Sequence, residues 1–144
     1  FSPPILFKYW NNSNGFVFVV PLCPFRGDHV RRLVDLTRIV CAQHKVSLGI
    51  TLNTLSEAIV EGVISLKFTS AELGHKCMFD LYEKFAYQGY WPYRLNVDIM
   101  EKFIKPNDPF WMVAKKIKSV LDPNGIIAPQ RYVPLMELPW ASFI

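Results

Sequence analysis

A phenol and a guanidinium group stand side by side at Tyr93 and Arg94, after an aromatic run that starts at Gly89. Arginine keeps its charge at physiological pH and a tyrosine hydroxyl donates a hydrogen bond, so together they can stabilise an anionic oxygen in a dry pocket. A substrate phenolate is the kind of group that such a pair would hold. Taken without context, the same two residues are more often an ordinary strand tyrosine beside an ion-paired surface arginine.

A second informative segment, residues 122–129, reads Asp-Pro-Asn-Gly-Ile-Ile-Ala-Pro. Upstream of it, Asp108 is typical of a helix N-cap and Pro109 of the first helical position. Lysines near the end of that helix would lie where the helix dipole favours cations. The segment therefore predicts that a basic helix ends in a tight turn and that the chain leaves it extended. Gly125 is interpreted as a turn glycine, because no glycine-rich phosphate-binding loop surrounds it.

In this order and spacing, the two segments resemble the C-terminal cap domain of the flavin oxidoreductases in the vanillyl-alcohol oxidase and 4-cresol dehydrogenase group. A cap strand of that group ends in glycine, an aromatic residue, two variable residues and Tyr-Arg. Gly89, Tyr90, Tyr93 and Arg94 match this pattern, and Asn96 fits the cresol-dehydrogenase form. The resemblance implies an FAD-dependent oxidoreductase that oxidises para-substituted phenols by hydride transfer. It also implies that Tyr93 and Arg94 are catalytic and that FAD is bound mainly by a domain absent from this chain.

The chain departs from that group at three places. Some members attach FAD through a histidine at the start of the first cap strand, a position that falls on Phe16 here, so no covalent link is expected at residue 16. Tyr9 is a conceivable alternative attachment site, although a packed aromatic residue is the more common interpretation. A His-His pair late in the group's hairpin is replaced near Glu61-Gly62. The C-terminal motif of the group, Ala-Pro-Gly with a basic residue, is Ala-Pro-Gln here, followed by Arg131.

Weaker site candidates complete the set. Asn124 and Arg131 are considered for cofactor binding. Four apolar strand residues are considered for the substrate pocket, although a strand core has the same pattern: Phe16, Phe18, Leu52 and Val63. The three histidines are far apart in the sequence and lack metal-ligand spacing, so no metal site is predicted.

Hydrophobic periodicity predicts the order strand, helix, strand, strand, helix, strand for residues 16–97. Dense β-branched and aromatic residues mark the first strand at residues 16–22, and a helix follows from Gly27. Two alternating runs, 47–55 and 58–68, are predicted to pair as a hairpin. This is the order of the ferredoxin-like split β-α-β fold, an α+β antiparallel sheet with both helices on one face. C-terminal helices and an extended tail are expected after it.

The second helix and the fourth strand have distinctive expected ends. Residues 69–72 read Thr-Ser-Ala-Glu, a capping box in which the threonine and the glutamate satisfy free N–H groups. The helix is expected to bury Leu73 among its inward residues and to stop at Gly89. Residues 90–97 predict a short fourth strand. Because Pro92 has no N–H to donate to a neighbouring strand, this strand is expected at an edge of the sheet or with a bulge.

Length and composition set the expected domain organisation. With 144 residues, the chain fits one domain. Its hydrophobic fraction of 51% is higher than expected for an isolated domain of this size. An extended lead-in is expected over residues 1–15, at a junction with a missing FAD-binding domain. The cap domain is expected over residues 16–121, and a C-terminal tail over residues 122–144.

Charge, hydropathy and cysteine count narrow the expected partners. The net charge is +4 but the basic residues are dispersed, so nucleic acid is not expected. No apolar run reaches about 18 residues, so no membrane-spanning segment is expected. Three widely spaced cysteines argue against a disulfide scaffold or a zinc site and favour an intracellular location over a secreted one. The expected partners are a small phenolic substrate and the FAD-binding domain of the same protein, and homo-oligomerisation is left open.

Two alternatives stay open. Related flavin enzymes with the same kind of cap oxidise 2-hydroxy acids or other alcohols. A site for a hydroxy acid, however, needs more cationic and histidine side chains than Tyr93 and Arg94 supply. A non-catalytic ferredoxin-like interaction module, or an inert fragment, is the second alternative. A flavin-binding domain encoded upstream in the same reading frame would argue for the enzyme.

Overall fold

The computed structural model describes residues 15–96, 99–105 and 107–128. The chain divides into two units, one that extends to Arg94 and one that begins at Leu95. Within the described residues, the first unit holds one sheet and two long helices, and the second holds two shorter helices. The boundary between the units lies inside the range 16–121 that was predicted to be one domain.

The strands of the first unit form one antiparallel sheet. Their bounds are β1 (Gly15–Val19), β2 (Pro21–Pro24), β3 (Ser47–Thr54), β4 (Ile59–Phe68) and β5 (Trp91–Pro92). β1 and β2 follow one another along β4 in a single register, with Val19 opposite Ile64 and Leu22 opposite Glu61. β3 pairs with the other edge of β4, and β5 adds to the outer edge of β2. The strand order and the antiparallel pairing confirm the predicted ferredoxin-like fold.

Two amphipathic helices cover one face of this sheet, α1 (Gly27–Gln43) and α2 (Ala71–Tyr87). The buried residues of α1 are spaced three or four apart, as expected for a helix with one apolar face: Leu33, Thr37, Val40 and Cys41. Thr37 is the polar member of this stripe, and its hydroxyl donates to the Leu33 carbonyl at 2.7 Å. The bond satisfies the hydroxyl inside the core, so a polar residue is tolerated there.

Side chains alternate between the two faces of the sheet, and the two helices of the first unit cover one of these faces. The even-numbered residues of β4 are buried, whereas its odd-numbered residues are partly or fully exposed. A Cβ built on Gly62 would lie 3.1 Å from the Leu33 side chain of α1, so the buried face is the one against the helices. By register, the opposite face carries the odd-numbered residues of β4 and the even-numbered residues of β1 and β2. We call this second face the open face.

The start of α2 differs from the predicted capping box. Ser70 is the N-cap residue, and no side chain caps the helix. Glu72 instead accepts a hydrogen bond from Lys76, one turn along, at 2.6 Å. An i, i+4 ion pair on an exposed helix surface thus replaces the reciprocal cap. The end of α2 is as predicted, because Gly89 follows it with a φ of 75°.

The inward side of α2 also differs from the prediction at one position. Leu73 is 41% exposed, and the neighbouring buried residue is Gly74. The ring of Phe68 occupies the space beside Gly74, where a Cβ would come within 2.3 Å of it. The ring of Phe68 therefore occupies the core space that the sequence pattern assigned to Leu73.

The fourth strand is much shorter than the run predicted over residues 90–97. Pro92 has no N–H to donate, which limits pairing at an edge. The Tyr93 N–H donates to the Val20 carbonyl at 2.7 Å, and the chain then bends away. β5 is therefore a brief edge strand that places the residues after it at one side of the sheet.

The second unit contains α3 (Met100–Phe103) and α4 (Pro109–Leu121). Asp108 is the N-cap of α4, as predicted, and its carboxylate accepts the Phe110 N–H at 2.9 Å. No residue of α4 is buried. An exposed apolar stripe runs along this helix at Phe110, Val113, Ile117 and Leu121.

Residues 1–14 of the predicted lead-in and residues 129–144 of the predicted tail lie outside the described residues, whereas Gly15, assigned to the lead-in, is the first residue of β1. Among the residues that the structure does describe, none of the helices combines the length and the hydropathy needed to span a membrane.

Candidate functional site

The open face of the sheet is lined by large aromatic side chains. Phe16 and Phe18 are 64% and 52% exposed, and their rings meet edge to face with centroids 5.4 Å apart. Trp91 and Tyr93, at the edge formed by β5, are 62% and 51% exposed. An aromatic patch of this kind on a small domain marks a surface that binds a ligand or another domain. The open face is therefore the candidate site of the first unit.

Tyr93 lies on the open face because of its register. Trp91 pairs with Leu22, and the hydrogen bond from Tyr93 to Val20 extends that register along the edge. Residues directly opposite one another in a sheet point to the same face. Since Leu22 and Val20 are on the open face, Trp91 and Tyr93 are on it as well.

The guanidinium group of Arg94 contacts the Tyr93 ring. Its central carbon lies 5.6 Å from the ring centroid, within the range of a cation–π interaction. Both side chains are exposed, and neither forms a hydrogen bond or an ion pair with another described residue. The ion-paired surface arginine of the ordinary interpretation is therefore not observed in the described part of the chain. Within the described residues, the donors of both side chains are therefore available to a ligand.

The two residues that precede the pair in the sequence motif have structural roles. Tyr90 is 1% exposed, and its hydroxyl lies 3.0 Å from Nδ1 of His29 on α1. Burial raises the pKa of Tyr90, so its phenol stays protonated and acts as a core hydrogen-bonding group. Gly89 adopts a positive φ that joins α2 to β5, a conformation that glycine reaches without strain. Gly89 and Tyr90 thus hold in place the segment that carries Tyr93 and Arg94.

The structure brings together three of the four apolar residues considered for the pocket. Phe16, Phe18 and Val63 lie on the open face. Leu52 pairs with Gly62, whose Cβ position faces α1, so Leu52 lies on the helix side of the sheet. The sequence pattern of β3 shows alternation without showing register, and a shift of one residue moves a side chain to the other face.

Glu61 is the residue of the open face that sequence reasoning left without a role. It lies opposite Leu22 on one side and Asn53 on the other. The side-chain amide of Asn53 donates to Oε2 of Glu61 at 3.2 Å. Among the described strand residues of the open face, Glu61 is the only carboxylate. Its alternation with Val63 along β4 is the signal by which it could have been assigned to this face.

In the second unit, Asp122 organises the turn of the C-terminal motif. Its Oδ1 accepts the Ile126 N–H at 2.8 Å, and its Oδ2 accepts the Ile127 N–H at 2.9 Å. Lys118 donates to the same Oδ2, and Gly125, with a φ of 63°, closes the turn by donating its N–H to the Asp122 carbonyl. The Lys118 ammonium and the two backbone N–H groups hold the pKa of Asp122 below its usual range. The geometry gives this conspicuous motif a structural role within its own unit.

We expect Asp122→Asn to loosen this turn, whereas Asp108→Asn should leave the start of α4 intact. An asparagine has one acceptor oxygen, so it cannot serve two N–H groups and a cation, but it serves a single N-cap bond as well as aspartate does. Amide hydrogen exchange at Ile126 and Ile127 measures the effect. Their protection factors should fall in Asp122→Asn and stay unchanged in Asp108→Asn.

The lowered pKa of Asp122 also predicts a pH dependence. The carboxylate stays ionised in the folded turn at pH values where it is protonated in the unfolded chain. Its contribution is therefore fully present above about pH 4 and is lost as the pH falls through the folded pKa. Protection of the Ile126 and Ile127 amides should decrease in that acidic range in the wild type only. Equal pH profiles in the wild type and in Asp122→Asn would contradict this assignment.

The remaining sequence candidates add nothing to the open face. Asn124 is exposed at the turn of the second unit, and both Arg131 and Tyr9 lie outside the described residues. Among the residues that the structure describes, no group of three or more histidine, cysteine, aspartate or glutamate side chains is placed to hold a metal ion.

Two cysteines meet in the core between α1 and α2. The Sγ atoms of Cys41 and Cys77 are 3.9 Å apart, and both residues are fully buried. The hydrogen bond to Cys41 and burial raise the pKa of Cys77. Neither thiol is accessible to solvent, so this pair is part of the core and not a reactive site.

Comparison by sequence gives a distant relative. No family model matches the chain. The 1'-carboxy-chondrochloren decarboxylase of Chondromyces crocatus is 28% identical over 123 residues, which are 82% of this chain and 23% of that protein. The chain thus spans about a quarter of the length of this curated relative.

Comparison by structure identifies the fold in parts of two larger enzymes. The 4-ethylphenol oxidase from Gulosibacter chungangensis, in complex with isoeugenol, matches 90% of this chain with a TM-score of 0.73 and 18% identity. A p-cresol methylhydroxylase with substrate bound matches 82% of it with a TM-score of 0.71 and 19% identity. The matched regions cover 26% and 24% of those chains. The chain therefore has the fold of one part of each of these enzymes.

Proposed function

We propose that this chain is the substrate-binding cap domain of an FAD-dependent oxidoreductase that oxidises para-substituted phenols. The observation that carries the proposal is the placement of Tyr93 and Arg94 at the edge of an exposed aromatic sheet face, with their hydrogen-bond donors free of described partners. Similarity in fold to parts of enzymes named for 4-ethylphenol and p-cresol supports the same class of substrate.

The described residues fit one part of FAD better than the other. The open face presents aromatic side chains, which suit contact with a planar ring system. The described residues include no glycine-rich loop leading into a helix, the usual support for a dinucleotide phosphate. We therefore assign the phosphates of FAD to another domain and only its ring to the surroundings of the open face. When bound, FAD supplies the hydride acceptor.

In the proposed reaction, Arg94 and Tyr93 act on the phenolic oxygen. Tyr93 donates a neutral hydrogen bond and Arg94 a charge-assisted one, and together they favour the phenolate over the phenol. Negative charge spread into the ring weakens the benzylic C–H bond, from which a hydride leaves, and water can attack the resulting quinone methide. The charge-assisted donor is worth about 3 kcal/mol of barrier, by comparison with oxyanion donors, and the neutral donor is worth less. The aromatic side chains of the open face keep water away from the substrate ring.

The proposed function is tested by comparing a phenol with its methyl ether. The holoenzyme that contains this chain should oxidise 4-ethylphenol but not 4-ethylanisole, because the ether has no proton to lose and cannot become a phenolate. Steady-state rates with both compounds, measured by flavin reduction, give the result. Equal rates for the two compounds would show that no phenolate is needed and would remove the role given to Tyr93 and Arg94.

We expect the flavin to be bound without a covalent link at residue 16. Phenylalanine offers no atom to bond the flavin, and Phe16 occupies an exposed position on the open face. The 144-residue chain by itself should also purify without stoichiometric flavin, because the described residues offer no phosphate-binding loop. Absorbance spectra and mass spectra of tryptic peptides check both points. A yellow isolated chain, or flavin mass on the Phe16 peptide, would contradict the assignment.

A second candidate function at the same site is decarboxylation, in which a bond to the carboxyl carbon breaks in place of the benzylic C–H bond. The sequence relative is named as a decarboxylase of a carboxylated compound, and the exposed fork of Arg94 suits a carboxylate as well as a phenolate. In that case Arg94 would bind the carboxyl group of the substrate. Release of carbon dioxide from a carboxylated phenol by the holoenzyme, without oxidation of 4-ethylphenol, would favour this candidate over the first.

A further inference from the structure

The open face holds a carboxylate at a defined place relative to Tyr93. Tyr93 is opposite Val20, the continuous register sets Val20 opposite Val63, and Glu61 is two residues from Val63 along β4. With strands about 4.8 Å apart and a rise of roughly 3.3 Å per residue, the Cα atoms of Tyr93 and Glu61 are about 12 Å apart on one face. This separation, reduced by the two side chains, is comparable with the length of a phenol that carries a short para chain.

Apolar side chains occupy the space between these two positions. Val20, Leu22 and Val63 form the floor, and Trp91 stands at the edge. The strip therefore has hydrogen-bond donors and a cation at one end, an apolar floor, and an anion at the other end. A phenol with an apolar linker and a hydrogen-bond donor at its far end complements all three parts.

Glu61 is oriented but not neutralised. Asn53 donates to Oε2 and so fixes the carboxylate, and no ion pair joins Glu61 to a described cation. Lys67, the cation on the same strand and face, is six residues away along β4, which corresponds to about 20 Å. An ionised carboxylate accepts hydrogen bonds and cannot donate one, so the remaining oxygen of Glu61 selects for a donor.

We propose that Glu61 selects, among para-substituted phenols, those whose side chain ends in a hydrogen-bond donor, of which a protonated amine is the strongest. The proposal rests on the proposed function, since Tyr93 and Arg94 must hold the phenolic end for Glu61 to meet the other end. Glu61 then determines specificity and takes no part in breaking the C–H bond.

The test uses two phenols of nearly equal shape in the holoenzyme that contains this chain. In 4-(2-aminoethyl)phenol an ammonium group replaces the terminal methyl group of 4-propylphenol. We expect Glu61→Gln to lower the ratio of kcat/KM for the amine to kcat/KM for the alkylphenol by about tenfold or more, as for the loss of a hydrogen bond to a charged group. Dissociation constants of the two compounds should show the same change in ratio.

Two further variants serve as controls. Asn53→Ala should lower the ratio less, because it frees the carboxylate without removing it. Glu57→Gln removes the same charge from the exposed hairpin turn and should leave the ratio unchanged.

The outcomes separate this proposal from the proposed function. If 4-propylphenol is oxidised, its methyl ether is not, and the ratio is the same in Glu61→Gln as in the wild type, the selection by Glu61 is wrong and the phenol site stands. If neither phenol is bound or oxidised, or the ether is oxidised equally, the proposed function fails and this proposal fails with it.

Discussion

Replacing Arg94 with alanine is expected to lower kcat/KM of the holoenzyme for a para-alkylphenol by roughly 10²-fold or more, the range of one lost charge-stabilising donor. The guanidinium group is exposed beside the Tyr93 ring and has no ion-pair partner among the described residues. Its removal therefore takes charge from the ligand site without leaving a buried group unpaired. The melting temperature should change little.

Three variants make this result specific. Arg94→Lys keeps the charge but loses the planar fork, so part of the activity should be lost. Tyr93→Phe removes one hydrogen bond and leaves the cation, so its effect should be smaller than that of Arg94→Ala. Arg38→Ala, which removes an exposed arginine from α1, should leave the kinetics unchanged. Unaltered kinetics in Arg94→Ala together with a large drop in melting temperature would show that Arg94 is a structural arginine.

A loss of stability is expected from Gly74→Ala in α2. A Cβ at this position would lie 2.3 Å from Cδ1 and 2.5 Å from Cε1 of Phe68. The ring has little room to retreat, because Phe68 is 6% exposed and a Cβ on Gly15 would already lie 3.0 Å from its Cε2. Overpacking of this kind lowers the free energy of unfolding by about 1–3 kcal/mol. The better helix propensity of alanine offsets about 1 kcal/mol of that loss, so the expected net decrease is up to about 2 kcal/mol.

Chemical denaturation of the 144-residue chain measures this effect, and two further changes make it diagnostic. Gly27→Ala places a methyl group at the start of α1, where the nearest atom is Nη2 of Arg31 at 3.6 Å, and should not destabilise the protein. Phe68→Leu added to Gly74→Ala should restore part of the lost stability by making room, which a double-mutant cycle detects. Equal stabilities of Gly74→Ala and Gly27→Ala would contradict the packing described for Phe68.

The helices and strands with a periodic apolar pattern were predictable because the hydrophobicity of each residue indicates whether that residue is buried. In α1 the apolar residues recur every three or four positions, and in β3 and β4 they alternate with polar residues. These periods follow from which side of each element is buried, so they can be recognised in the sequence. The capping box was not realised because α2 begins at Ala71 with Ser70 as its N-cap, so Glu72 is the second helical residue and pairs with Lys76. Leu73 was assigned to the core because a glycine gives no hydrophobic signal, although Gly74 is the residue that the packing of Phe68 requires.

The candidate site was predictable only in part, because it depends on register between distant strands. Tyr93 and Arg94 were proposed from their chemistry and from the segment around them, and the structure places both at the exposed edge of the sheet. The position of Leu52 on the helix face follows from its pairing with Gly62, and that of Glu61 on the open face from its pairing with Leu22. Neither pairing is visible in a single strand, since a shift of one residue exchanges the two faces.

The central claim is that Arg94 and Tyr93 stabilise a phenolate on the open face, and the pKa of a bound phenol tests it most directly. A cation and a hydrogen-bond donor beside the oxygen favour the ionised form and lower the pKa of that phenol. The visible absorption of 4-nitrophenol reports its ionisation when it is titrated with pH in complex with the holoenzyme. We predict a pKa below that of free 4-nitrophenol in the wild type and a return toward the free value in Arg94→Ala. An unshifted pKa in the wild type, or the same lowered pKa in Arg94→Ala, would contradict the claim.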